Sequence, residues 1–200
     1  MRDSAAGEGF ASAVPFLAWL AYLGAVAALL LADPLPLRLT FVTPAGLHGI
    51  LVAAEILFVL FAWPFLERGR GRTAVRAALL GALALPLALM AENISAAGVG
   101  ALIRGQVLVF ALAAFVSALR AGEARRAPAY VFSAALLSAG LPLAAFVARE
   151  LGGVGLEWLV LFSPVWAAVD AGRGSVLLLA CFAAAGAAVL IVAERPETAS

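Results

Sequence analysis

The stretch Thr43–Glu67, TPAGLHGILVAAEILFVLFAWPFLE, decides how the rest of the chain is read. It opens on a turn signal at Pro44 and runs for about twenty mostly apolar residues, the length that crosses ~30 Å of hydrocarbon. It stops at Glu67, where the run Arg68, Arg70, Arg72 begins. These features describe a membrane-spanning helix with a cationic end. In its middle stands Glu55. A charged side chain near a bilayer centre costs roughly 3 kcal/mol on insertion scales, so an acid there implies a function or a dedicated partner.

The surroundings of this stretch repeat its apolar character. The chain has 200 residues, of which 65% are hydrophobic and 12% charged. A soluble domain is nearer 45–50% apolar and about 25% charged. The excess lies in runs of membrane-crossing length, and these do not alternate as barrel strands do. The expectation is an all-α polytopic membrane protein forming one transmembrane domain over residues 1–200. The net charge of +1 says nothing about nucleic acid; the arginines form short clusters beside apolar runs rather than a basic patch interleaved with aromatics, so no nucleic-acid partner is expected. The one cysteine, Cys181, cannot form an intramolecular disulfide and reads as a small buried residue. No cleavable signal peptide is evident, because Met1–Phe10 is polar with charges of both signs.

Taken outward from the opening stretch (about 45–66), the pattern predicts six spans. The others cover about 13–32, 74–94, 98–119, 129–148 and 175–193, with Pro86 and Pro142 inside the third and fifth. Arginines set the orientation. With the amino terminus inside, Arg2, Arg68, Arg70, Arg72, Arg76, Arg120, Arg125, Arg126 and Arg195 lie in cytoplasmic segments, against Arg38, Arg149 and Arg173 outside. Positive charge inside therefore places both termini in the cytoplasm, in a bacterial inner membrane. Between the fifth and sixth spans, about 156–172, LEWLVLFSPVWAAVDAG is split by Ser163-Pro164. Ser is a good N-cap and Pro suits a first helical turn, so two short helices should meet there as a re-entrant or interfacial pair. If the segment crossed instead, the carboxy terminus would lie outside. Trp19, Trp63, Trp158 and Trp166 read as interface anchors. The rows Ala180, Ala184, Ala188 and Ala183, Ala187 read as close helix packing, with a dimer seam as the alternative.

Few polar groups are available for chemistry. His48 precedes Glu55 by seven residues, two turns along one face. Glu92 and Asn93 end the third span; Arg104 and Gln106 lie near the start of the fourth, so Glu92 and Arg104 are placed at similar depth. Glu55, His48, Glu92 and Arg104 are the candidate lining of an outward-facing substrate pathway, or else a buried polar set that fixes packing. Glu67, Arg68, Arg70, Arg72 and Arg76 are the candidates for an ATPase-facing or headgroup-facing surface; plain positive-inside topology is the simpler account of the arginines. There is no HExxH, Gly-x-Ser-x-Gly or P-loop, one histidine cannot give bis-histidine haem ligation, and one cysteine cannot exchange disulfides. The chain is therefore not read as an enzyme, and no cofactor or metal is expected.

The layout resembles the ABC-2-type transporter permeases, and within them is similar to the short membrane subunit of the cytochrome c maturation haem exporter. The resemblance rests on Thr43–Thr73 as the second helix running into a Glu-Arg-rich stretch, on GLPLAAFV (Gly140–Val147) as a proline-containing fifth helix, and on Leu156–Gly172 as the outer helical pair. It implies a permease subunit with a separate ATP-binding subunit, a second permease copy or paralogue, and membrane lipid as partners. One departure is physical. The family's amphipathic coupling helix follows the Glu-Arg-rich stretch, whereas here only about ten residues, at 1.5 Å each, precede the third span. The coupling element is then very short or missing. A scaffold subunit of a larger membrane complex and a small-solute binding membrane subunit stand as alternatives.

Overall fold

The structure, a computed structural model, describes residues 3–31, 44–66, 73–95, 98–121, 127–169, 179–181 and 183–188. Among them every regular element is helical, as the apolar runs require. In chain order these are α1 (Asp3–Leu31), α2 (Pro44–Phe61), the single turn α3 (Trp63–Leu66), α4 (Thr73–Ser95), α5 (Val99–Ala121), α6 (Ala127–Ala135), a π turn (Leu136–Gly140), α7 (Leu141–Gly152), a 3-10 helix (Glu157–Phe162) and α8 (Pro164–Val169). Residues 179–181 and 183–188 are also helical.

Helix α2 is the axis of the bundle. It packs against α1, α4, α5, α6 and α8. From Leu47 to Leu60 only Ile50 and Leu57 retain appreciable surface. Glycines set the closest approaches. A Cβ on Gly49 would stand 3.0 Å from Val169 Cα, so α8 rests directly on the α2 backbone. A Cβ on Gly105 would stand 2.9 Å from Val52 Cγ2, so α5 seats equally closely on another face. Helices α4 and α5 are joined through Gly98, whose φ of 86° suits a residue without a side chain.

Two prolines shape the helices around this axis. A proline in a helix has no N–H to offer the carbonyl four residues back, and its ring crowds that oxygen. Pro64 deprives Leu60 in this way, and α2 breaks at Ala62. The Leu60 carbonyl instead accepts the Tyr130 hydroxyl of α6 at 2.7 Å. Pro142 deprives Ser138, and the chain widens into the π turn, where Leu141 N–H reaches Leu136 O. The Ser138 carbonyl accepts the Ser163 hydroxyl at 3.1 Å. Ser163 also accepts from Trp166 N–H at 3.2 Å, making it the N-cap that its place before Pro164 suggests. Thus the two short helices meet at Ser163, and that residue ties them to the widened turn.

Several expectations change. Helix α1 starts at Asp3 rather than near Ala13, because hydropathy marks where a span begins and not where a helix does. Trp19 and Trp63 are fully buried rather than interfacial. Their indole N–H groups reach Leu80 O at 3.0 Å and Ser117 Oγ at 2.8 Å. Trp158 and Trp166 are exposed. Cys181 is exposed and not buried. Ala180, Ala183 and Ala187 face the bundle, while Ala184 and Ala188 do not.

Two helices among the described residues are long and apolar enough to cross a membrane, Val99–Ser117 and Pro128–Gly152. The other apolar helices, such as Ala13–Leu29, Leu47–Phe61 and Ala78–Ile94, are shorter. Pro128–Gly152 contains an 18-residue window of mean hydropathy 2.0, yet only 17% of that window is buried. A core helix of a soluble protein with that composition would be mostly covered.

Candidate functional site

The polar interior lies between α2 and α5. Glu55 occupies the third turn of α2 and has no exposed surface. Its Oε2 accepts from Gln106 Nε2 at 2.9 Å. Gly105 explains how Gln106 gets there. The lack of a side chain at that position lets α5 close onto Val52 and His48, and the next residue then points at the acid one helical level deeper. Leu102, Leu108 and Val109 of α5 are also buried.

His48 is also inside, at 1% exposure, and not at the interface as its place near the helix start suggests. The cause is coverage. Its neighbour Gly49 is under α8, and Gly105 lies 3.4 Å, measured to its ideal Cβ, from His48 Nε2. Glu92, at the end of α4, is in electrostatic range of the imidazole.

The remaining candidates separate. Glu92 and Arg104 are half-buried, and each has interaction partners. The Arg104 guanidinium extends back beside Gly100, towards the start of α5 and away from Glu55. Arg76 is half-buried in the first turn of α4 and is likewise engaged. Glu67, Arg68, Arg70 and Arg72 lie outside the described residues.

Among the described residues, five buried polar atoms lack a hydrogen bond of good geometry: both His48 ring nitrogens, although the Ala101 backbone lies close to the ring, Glu55 Oε1, Gln106 Oε1 and Ser138 Oγ. Four of the five belong to this one region. A small apolar cleft lined by Ala27, Leu47, Leu51, Leu87, Met90, Ala91 and Ile94 opens between α1, α2 and α4, and neither Glu55 nor Gln106 lines it. Glu55 is therefore closed off in this conformation. The arrangement can hold a small charged or hydrogen-bonding species, and a bulky solute would require α2 and α5 to separate. The Glu55–Gln106 pairing was not legible from spacing alone, because the two residues are 51 positions apart and only the glycine before Gln106 hints at close approach.

Comparisons of the chain with family models, with curated proteins and with solved structures found no match.

Proposed function

We propose that this chain is a multi-pass membrane subunit, a permease of ABC-2-like architecture working with a separate ATP-binding subunit and a second permease copy or paralogue. The observation that carries the membrane assignment is the α6–α7 segment, which is apolar, of membrane-crossing length and mostly uncovered. Large exposed side chains such as Phe132, Leu143 and Phe146 continue that surface, and lipid is the solvent that accepts them. The permease assignment is supported by the layout: a buried second helix, a proline-bearing fifth segment, and two short helices following it. In this reading both termini face the cytoplasm of a bacterial inner membrane. Nucleotide-driven closure of the ATPases would alternately open a path along α2. Glu55 lines that path, and Arg68, Arg70, Arg72 and Arg76 face the ATPase or anionic headgroups.

The test is co-purification from native membranes. An ATPase that accompanies the chain, with activity lost when Arg68, Arg70, Arg72 and Arg76 are changed to Gln, supports the permease. In the same complex Glu55→Gln should abolish transport and leave assembly intact. Full transport by that variant would remove Glu55 from the path.

A second reading has its own observation. Helix α3 ends at Leu66 and α4 starts at Thr73, which leaves six residues between them. Six residues are fewer than the roughly seven that two helical turns need. A scaffold subunit held in a larger membrane complex requires no docking helix. Recovery of a stable complex without any ATPase would select it.

A further inference from the structure

Glu55 is an acid whose partner in the bundle is a neutral amide. Gln106 satisfies Oε2, while Glu55 Oε1 and Gln106 Oε1 stay buried without donors. Both orphans are acceptors, so the environment lacks a donor or a positive charge. Burying an ionised carboxylate without a counter-charge costs several kcal/mol, and a hydrogen bond from a neutral amide offsets part of that.

The charged and titratable groups on the elements around α2 do not supply the missing charge. The Tyr22 hydroxyl of α1 donates to Ala54 O at 3.1 Å, and the Tyr130 hydroxyl of α6 to Leu60 O at 2.7 Å. His48 lies two turns away, beside Gly105, and Glu92 of α4 is in range of His48. Arg104 points back beside Gly100, and Arg76 lies in the first turn of α4. Helices α3 and α8 carry no ionisable side chain. None of these groups bonds to the Glu55 carboxylate among the described residues.

We propose that Glu55 and Gln106 bind one monovalent cation, a proton or an alkali ion, between Glu55 Oε1 and Gln106 Oε1. One positive charge neutralises the single carboxylate and serves both orphan oxygens at once. A proton does so on Oε1, turning that atom into a donor. An alkali ion does so by coordination to the two oxygens. The proposal rests on the reading that α2 lies within the membrane. It gives the permease or scaffold a cation-loaded closed state.

The experiment uses the full chain purified in nanodiscs. Infrared spectra in H2O and D2O are recorded for wild type and Glu55→Gln, and melting temperatures are compared in sodium and in choline at equal ionic strength. A protonated-carboxyl stretch present in wild type and lost in Glu55→Gln identifies the proton. A melting temperature raised by sodium in wild type but not in Glu55→Gln, without that band, identifies the alkali ion. Absence of both effects overturns the proposal. If Glu55→Gln does not fold, Gln106→Leu replaces it. That variant keeps the acid but removes the Nε2 donor, so the band should shift, or the sodium effect should fall. A band and sodium response both unmoved would also overturn the site. Neither measurement involves an ATPase. A cation effect without ATPase co-purification therefore keeps this site and removes the permease, and release of the chain by carbonate extraction would remove the membrane reading separately.

Discussion

Helix α2 and the α6–α7 segment are both apolar runs of similar appearance in sequence, and they have opposite surroundings. Helix α2 is covered on nearly every side and carries His48 and Glu55 inside. The α6–α7 segment has no Asp, Glu, His or Arg before Arg149 and leaves most of its surface open. In water the leucines would mark the interior. In lipid they mark nothing, since tails and core are equally apolar, and the interior is marked by the polar groups and by the glycines that let backbones meet. On the proposed membrane reading, the contrast between the two helices is that rule at work. The covered helix has Glu55, His48 and the close contact at Gly49, whereas the open one shows Phe132, Leu143 and Phe146 at 60% exposure or more.

The largest effect that would break the contrast concerns tryptophan. Trp63 is fully buried, packs edge-on to Phe16 at 5.5 Å and donates to Ser117. Trp63→Ala should cost about 3–5 kcal/mol. Trp158, more than half exposed, should cost within ~0.5 kcal/mol of nothing on the same change. Denaturant-induced unfolding in mixed micelles measures both. Equal costs would mean that the outer helical pair is buried against something the bundle alone does not contain.

A smaller effect separates the covered and open helix faces by one methyl group. Gly49→Ala places Cβ at 3.0 Å from the Val169 backbone, which cannot rotate away as a side chain would. Overpacking of this kind costs about 1–3 kcal/mol, and α8 should loosen from α2. Gly81→Ala meets nothing within 4 Å and should be neutral or stabilise α4 by about 0.5–1 kcal/mol. Cysteine labelling at position 169 reports the loosening. Unchanged labelling in Gly49→Ala would show that α8 is not seated there.

These sites also show what spacing can reveal. The helical class, the proline-bearing segments and the helix start at Ser163 follow from local rules, because capping and proline chemistry act within four residues. The buried acid was conspicuous for its cost. Its partner was not, because Glu55 and Gln106 meet only through packing of α5 on α2 at Gly105. Trp19 and Trp63 depart from the interfacial expectation for a related reason. Tryptophan suits an interface and suits a core with an acceptor equally well, and Leu80 O and Ser117 Oγ are supplied by distant elements. His48 stands near the start of α2, but its coverage by α5 and α8 is tertiary.

The smallest effect tests how the covered and open helices are joined. Tyr130 of α6 donates to Leu60 O, a carbonyl that Pro64 leaves without its helical partner. Tyr130→Phe removes the donor and should cost about 0.6 kcal/mol, the average for interhelical hydrogen bonds in a bilayer. The physical cause proposed for this bond makes a sharper statement possible. Pro64→Ala restores an N–H at position 64 and lets α2 run on, so Leu60 O gains an intrahelical donor. In that background the Tyr130 hydroxyl has a competitor, and Tyr130→Phe should cost less than it does beside Pro64. The double-mutant cycle isolates this difference from any other role of the phenol. A cost that is the same in both backgrounds would mean that the proline and the tyrosine act independently, and that the joint between α2 and α6 is held by packing alone.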